Sequence, residues 1–318
     1  SSLTIGKSTN TANITFANAT TIAGPITAYG GDIAVNENLN TSAGAANGTV
    51  LLKASGNIIQ AASKTITTSD GDVTLWSDSD GNGSGYIQLT GGATSGIISG
   101  GGNVVLGGGS DITTGYARGA AIVDVGTFDS YISGIHLRNG STINSDGGTI
   151  TLRGQNFGDN QSVMQFGITG YNTTLDAGNG KISLTGLAGG SGGSGAANAQ
   201  AISSWPINTA GQGWTIRSTN PDADAICLSG DASSCNNSNT SLGINFHGTI
   251  EATGGGGINM YGKASTAAVY DQPLDIYGNI LANSGPITII AENNVANQTG
   301  LFLGTNVTLG SKTGTNVT

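Results

Sequence analysis

Carboxylates, two histidines and two cysteines are the side chains of this chain that could do chemistry, and their spacing limits what that chemistry is. The best catalytic candidate is the set Asp124, Asp129, His136, Arg138 and Arg153. Cleaving an acidic polysaccharide needs several carboxylates, or carboxylates with Arg or Lys, converging to bind uronate, hold a metal or transfer protons. The chain has no adjacent Asp-Asp pair, no Gly-His-Gly, and only two histidines, His136 and His247. The five residues therefore read as isolated and solvated, and no catalytic residue is assigned. No Ser-His-Asp or Cys-His arrangement has local support either.

Two further clusters carry metal and redox readings. In Asp78-Ser79-Asp80-Gly81-Asn82-Gly83, oxygen side chains at alternate positions precede a glycine, as in the first half of a calcium-binding loop. The twelfth position is Leu89 rather than Glu, so the closing bidentate ligand is missing. A plain Gly-Asn turn is the preferred reading, with calcium at Asp78, Asp80 and Asn82 as the alternative. Cys227 and Cys235 flank a short polar stretch, Leu228-Ser229-Gly230-Asp231-Ala232-Ser233-Ser234. That spacing predicts a disulfide pinning an outward loop, which favours an oxidising compartment. Two cysteines and two distant histidines do not make a zinc site.

The elements that must position these residues show in a recurrent step. Two apolar anchors stand seven residues apart across a glycine turn, from Ile26 to Ile33, Ile66 to Val73, Ile97 to Val104, Ile143 to Ile150, Leu175 to Ile182, Ile207 to Trp214 and Ile280 to Ile287. An eight-residue version runs from Ile250 to Ile258. After the turn apolar and polar residues alternate, as in Ile150-Thr151-Leu152, which marks a half-buried strand. The turn needs either a positive φ or close backbone approach, and Gly, Asn and Asp supply these. So short a strand pair cannot bury its apolar face alone, so copies must stack into an all-β solenoid. An antiparallel sandwich of hairpins is the competing architecture. A solenoid explains the irregular spacing better, because its coils bulge outward in loops of any length while the core keeps register.

Composition agrees. Gly is 55 of 318 residues and charged residues are 9%, while 36% apolar content is spread evenly, which suits a folded, narrow object. The expectation is one continuous solenoid over residues 1–318, with outward loops at about 186–205 and 218–241. At roughly 20 to 25 residues per coil it would hold about 13 to 16 coils, a rod on the order of 60 to 75 Å long. The ends, Ser1-Ser2-Leu3 and Thr315-Asn316-Val317-Thr318, read as those of a segment of something larger. Net charge is -9 and basic residues are isolated, so nucleic-acid binding is not expected. Membrane insertion is not expected either, since no run approaches the ~18 apolar residues of a spanning helix. Asn-x-Ser/Thr triplets such as Asn13-Ile14-Thr15 are weak glycosylation signals in so Asn-rich a chain, and turn asparagines are expected to form hydrogen-bonded ladders between coils.

The repeat Ile-x-Ser/Ala-x-Gly-Gly-x-Ile-x-Leu-x-Gly, at Ile143 to Gly154, Leu175 to Gly186 and Ile280 to Ile290, resembles the repeat region of filamentous-haemagglutinin-type exoproteins, the large secreted surface proteins of Gram-negative bacteria. The resemblance covers most of the chain. It implies a right-handed parallel β-helix, export to the cell surface or beyond, and a role as an adhesin or extracellular fibre. Family repeats are scaffolds, so no catalytic residue and no cofactor is carried over. The expected function is non-enzymatic: a stiff solenoid binding a cell-surface glycan or protein, or associating with itself into filaments. The alternative is a polysaccharide lyase or hydrolase on the same fold.

Overall fold

The computed structural model describes residues 1–92, 94–119, 121–122, 131–156, 164–190, 198–204, 213–235, 240–265, 270–293 and 299–310. Within them the chain winds through three sheets, and every third strand joins the same sheet except where the short extra strands Ala117–Arg118 and Ala121–Ile122 intervene. The first sheet starts at Leu3–Ile5, Ile26–Gly30 and Val50–Ala54 and ends at Ile287–Glu292. The second runs from Ile14–Phe16 to Leu301–Leu303, and the third from Thr20–Thr21 to Leu309–Gly310. Neighbouring strands are parallel and in register, Val73 lying between Val50 and Val104. The protein is a parallel β-helix, not an antiparallel sandwich. Among the described residues the one antiparallel strand pair is Ala121–Ile122 with Tyr131–Leu137, and the one helical segment is the 3-10 turn Ser42–Asn47.

Alternation sets the core. In Ile26–Gly30 buried and half-buried residues alternate, and Ile33, Val73, Val104, Ile150, Ile182 and Ile287 all join one continuous apolar column system. Each fully buried Ile or Val contributes about 1.5–3 kcal/mol. The seven-residue step is a corner. Ile66 to Val73, Ile97 to Val104, Ile143 to Ile150, Leu175 to Ile182 and Ile280 to Ile287 each pass from the third sheet to the first, whereas Ile26 to Ile33 passes from the first to the second. Ile207 lies outside the described residues.

The third-to-first corner repeats down to its atoms. Thr68, Ser99 and Ser145 are buried two residues after the anchor, and their hydroxyls donate to the carbonyls of Gly71, Gly102 and Gly148. Those glycines stack on one another: a Cβ on Gly102 would collide with the carbonyl of Gly71, one on Gly148 with that of Gly102, and one on Gly180 with that of Gly148. Close approach, rather than a positive φ, requires glycine in this column. Outside it runs the expected ladder, in which Asp72 Oδ1 accepts from the amide (2.7 Å) and side chain (3.2 Å) of Asn103, and Asn103 Oδ1 accepts from Thr149 N at 2.9 Å.

Two expectations about size and loops are corrected. The third sheet has ten strands, so ten coils stack rather than thirteen or more. At one strand spacing per step the stack is roughly 43 Å long. Coils lengthen beyond the expected range, from 23 residues between Val50 and Val73 to 46 between Val104 and Ile150. The regions 186–205 and 218–241 are not simply loops. They hold the strands Ile182–Gly190, Asn198–Ser203 and Ile226–Cys235, which overrun the corner between the first and second sheets.

These overruns build a fin. At its base Gly154, Gly186, Gly230 and Gly262 in the first sheet press against the backbone of Gly167, Ala201, Gly243 and Pro273 in the second, where no Cβ fits. Beyond this waist Ala188, Ala199, Ala201 and Ala232 form a second small core, and the buried Asn156 Nδ2 donates to Gln165 Oε1 at 2.8 Å. Glycine at these four positions marks a close backbone crossing.

Candidate functional site

The outer face of the first sheet carries a built-up polar surface. Outward positions Lys53, Trp76 and Gly107 lie side by side in register. The Lys53 ammonium sits 3.6 Å from the centre of the Trp76 ring, and Trp76 Nε1 donates to Gly109 O at 2.6 Å. From the other side Arg153 Nη1 donates to Ile112 O at 3.0 Å, while the Ile112 side chain fills the space that a side chain at Gly107 would take. Loop 109–116 is thus clamped onto the sheet from both flanks. The chain then re-enters the sheet at Ala117–Arg118, beside Gly154 and Gln155.

A second loop, 78–85, faces it. Gly85 and Arg118 exchange backbone hydrogen bonds, Gly85 N to Arg118 O at 2.9 Å and Arg118 N to Gly85 O at 2.8 Å. Asp78 starts this loop at φ +48°, and its Oδ1 accepts from Gly83 N (2.9 Å) and Ser84 N (3.2 Å). It is 1% exposed, and its Oδ2 has no hydrogen-bond partner. Burial pushes its carboxyl above the ordinary range, against the pull of the two N–H groups and the Arg118 charge. Asp111 goes the other way: the Thr113 amide (2.9 Å) and hydroxyl (2.7 Å) on Oδ1, with the Thr114 hydroxyl (3.2 Å) on Oδ2, hold it below the ordinary range.

Between the loops lies a cleft of about 170 Å³ lined by Asp78, Gly81, Ser110, Asp111, Tyr116 and Arg118, among others. On the far side of loop 78–85 a second cleft of about 220 Å³ is lined by Asn10, Tyr29, Lys53, Ser55, Ser79 and Asp80, among others. Both present donors and acceptors on a rigid support.

The residues singled out in the sequence fare differently. Asp124 and Asp129 lie outside the described residues. His136 is 2% exposed on the second sheet, and burial, then the charge of Arg138, holds its imidazole well below its ordinary value. Arg153 stands on the first sheet, so these two described members of the patch lie on different sheets. In the proposed calcium loop Asn82 Nδ2 donates to Asp80 Oδ2 at 2.8 Å, and Asn82 Oδ1 accepts from Ser84 N at 2.9 Å. Apart from Asp78 Oδ2, the carboxylate and amide oxygens of Asp78, Asp80 and Asn82 are engaged with the loop itself, as in a hydrogen-bonded turn. Asp111, Tyr116 and Arg118 were not singled out. Their one signal is that they fall in the long gap between the anchors Val104 and Ile143.

The predicted disulfide is overturned. Cys227 is a free thiol, near Asp224 O (3.7 Å) and Asn259 Nδ2 (3.8 Å). Cys227 and Cys235 belong to the single strand Ile226–Cys235, paired along its length to Ile182–Gly190. Eight residues of extended chain span roughly 26 Å, whereas a disulfide joins Cα atoms about 4.4–6.8 Å apart. The stretch taken for a loop is a strand because its backbone pairs on both sides.

The fold places the chain among parallel β-helix proteins. Comparison with known proteins finds no matching family model, no matching curated protein and no matching solved structure.

Proposed function

We propose that this protein is a non-enzymatic structural and adhesive β-helix, related to the filamentous-haemagglutinin-type exoproteins and acting at the bacterial cell surface or outside the cell, where it binds glycan or protein surfaces. The observation that carries this reading is the clamping of loop 109–116 onto the first sheet by Trp76 and Arg153, with loop 78–85 tied beside it through the Gly85–Arg118 backbone bonds. Rigid elements presenting open polar clefts are suited to recognition, because little ordering entropy is lost on binding. Repeated weak contacts then give avidity when geometry allows several at once. Self-association draws on a separate observation: Ile290, Leu301, Phe302 and Leu303 are exposed on the last described coil.

A polysaccharide hydrolase on the same fold is the second reading. It draws on Asp78 and Asp111, which line one cleft with their carboxyls pushed in opposite directions, a pattern used by acid and base pairs. A glycan array followed by turnover assays on every retained polysaccharide separates the two. Retention without released reducing ends or unsaturated products supports adhesion. Sustained product that disappears in Asp78→Asn or Asp111→Asn makes the protein an enzyme, and retention of nothing removes the hydrolase and the glycan-binding readings.

A further inference from the structure

We infer that the cleft between loops 78–85 and 109–118 holds one neutral pyranose unit, with Asp78 and Arg118 reading a pair of its hydroxyls. This rests on the glycan-binding reading and narrows it to a site and a ligand chemistry.

The site contains an orphan. A buried carboxylate oxygen without a partner is costly, and native proteins rarely leave one. Asp78 is the one buried residue among those that line the cleft, and its Oδ2 is the unpartnered atom. Arg118 lines the same cleft, and its charge acts on the Asp78 carboxyl. Acceptor and donor are therefore both offered at one place.

Charge and valence select the ligand. Calcium takes about six to eight oxygens, but Asp78 Oδ1 and both oxygens of Asp111 are already engaged, and the Arg118 guanidinium repels a cation. An anion would meet the two carboxylates. A neutral group with adjacent hydroxyls satisfies every term, because each hydroxyl donates to Asp78 Oδ2 or accepts from Arg118. Tyr116 adds a ring and a further hydroxyl to the wall. The volume of about 170 Å³ is below that of drug-sized pockets, which run to about 300–1,000 Å³, and suits one ring rather than a buried chain.

The test uses the methyl pyranosides of glucose, galactose and mannose as probes, followed by saturation-transfer NMR on the full chain and titrated to half-saturation. At least one should bind the unaltered protein. Asp78→Asn and Arg118→Met should each weaken it by about tenfold to a hundredfold, the range for losing a hydrogen bond to a charged group. Asn10→Ala, in the neighbouring cleft, should leave it unchanged. Melting curves establish that each variant folds, and Arg118→Met carries the test alone if Asp78→Asn does not. Folded Asp78→Asn and Arg118→Met variants that bind like the parent overturn the inference, as does selective loss in Asn10→Ala. A parent that is retained on glycan arrays yet binds no pyranoside sinks the site while the adhesive reading stands. A parent that binds no glycan at all ends both.

Discussion

At the residue scale the corner hydroxyls show how a repeat can be strict in geometry and loose in sequence. Ser145 donates to Gly148 O at 2.5 Å, yet Ala177 takes the equivalent place one coil on and is also buried. The position demands small size first and a hydroxyl second. Ser145→Ala should therefore cost only about 1 kcal/mol, while Ser145→Val, which overfills the corner, should cost about 1–3 kcal/mol, both read by urea denaturation. His136 gives a pH signature of known sign. Its imidazole is held well below its ordinary 6.5 in the folded protein, so as pH falls below about 6.5 the unfolded chain takes up a proton that the folded one refuses. The stability that His136 lends is complete above that value and is lost on acidification toward the depressed folded pKa. Asp275, whose carboxyl burial pushes up to about 6, acts in the opposite direction over the same range, so the test is the difference: between pH 7 and pH 5 the melting temperature of His136→Gln should rise relative to that of the parent. Glutamine fits there, because the buried Gln88 is the register neighbour.

At the element scale the fin depends on its waist. A Cβ at Gly186 would strike the carbonyl oxygen of Ala201, which belongs to the opposite sheet and cannot swing away as a side chain would. Gly186→Ala should destabilise by roughly 1–3 kcal/mol, whereas Gly300→Ala, where only Ala291 Cβ lies nearby at 3.8 Å, should leave the denaturation midpoint unchanged. The strand Ile226–Cys235 makes a covalent prediction as well. Denatured without reductant, the monomer should take up two equivalents of alkylating agent by mass spectrometry, because the ladder holds its cysteines at opposite ends.

At the scale of the whole molecule stability is a sum over stacked coils, each contacting its neighbours. Deleting residues 1–23 removes the first strand of each sheet and leaves Ile26–Gly30 as the new edge of the first. The shortened chain should keep its β-sheet circular dichroism and melt at a lower temperature. Ile150→Asp, placing a charge in the middle of the core between Val104 and Ile182, should abolish the folded spectrum, since a buried unpaired carboxylate costs several kcal/mol. Loss of all structure in the deletion would show that the coils are less independent than the stacking implies.

The coil, its corner and its inward residues were legible in the chain alone, because they are local. Alternation over three to five residues decides which way Ile150 and Leu152 face, and seven residues from Ile143 to Ile150 contain the whole turn with its serine and glycines. What sits beside what was not legible. Coil lengths from 23 to 46 residues hide which backbone lies next in the stack, and only that neighbour turns the Gly-rich 186–190 into strand and the stretch between Cys227 and Cys235 into a ladder rung. The clefts are of the same kind. Asp78, Asp111 and Arg118 line one cleft because an outward loop clamped to the first sheet is joined by backbone bonds to the loop of the preceding coil, and no spacing in the sequence encodes that meeting.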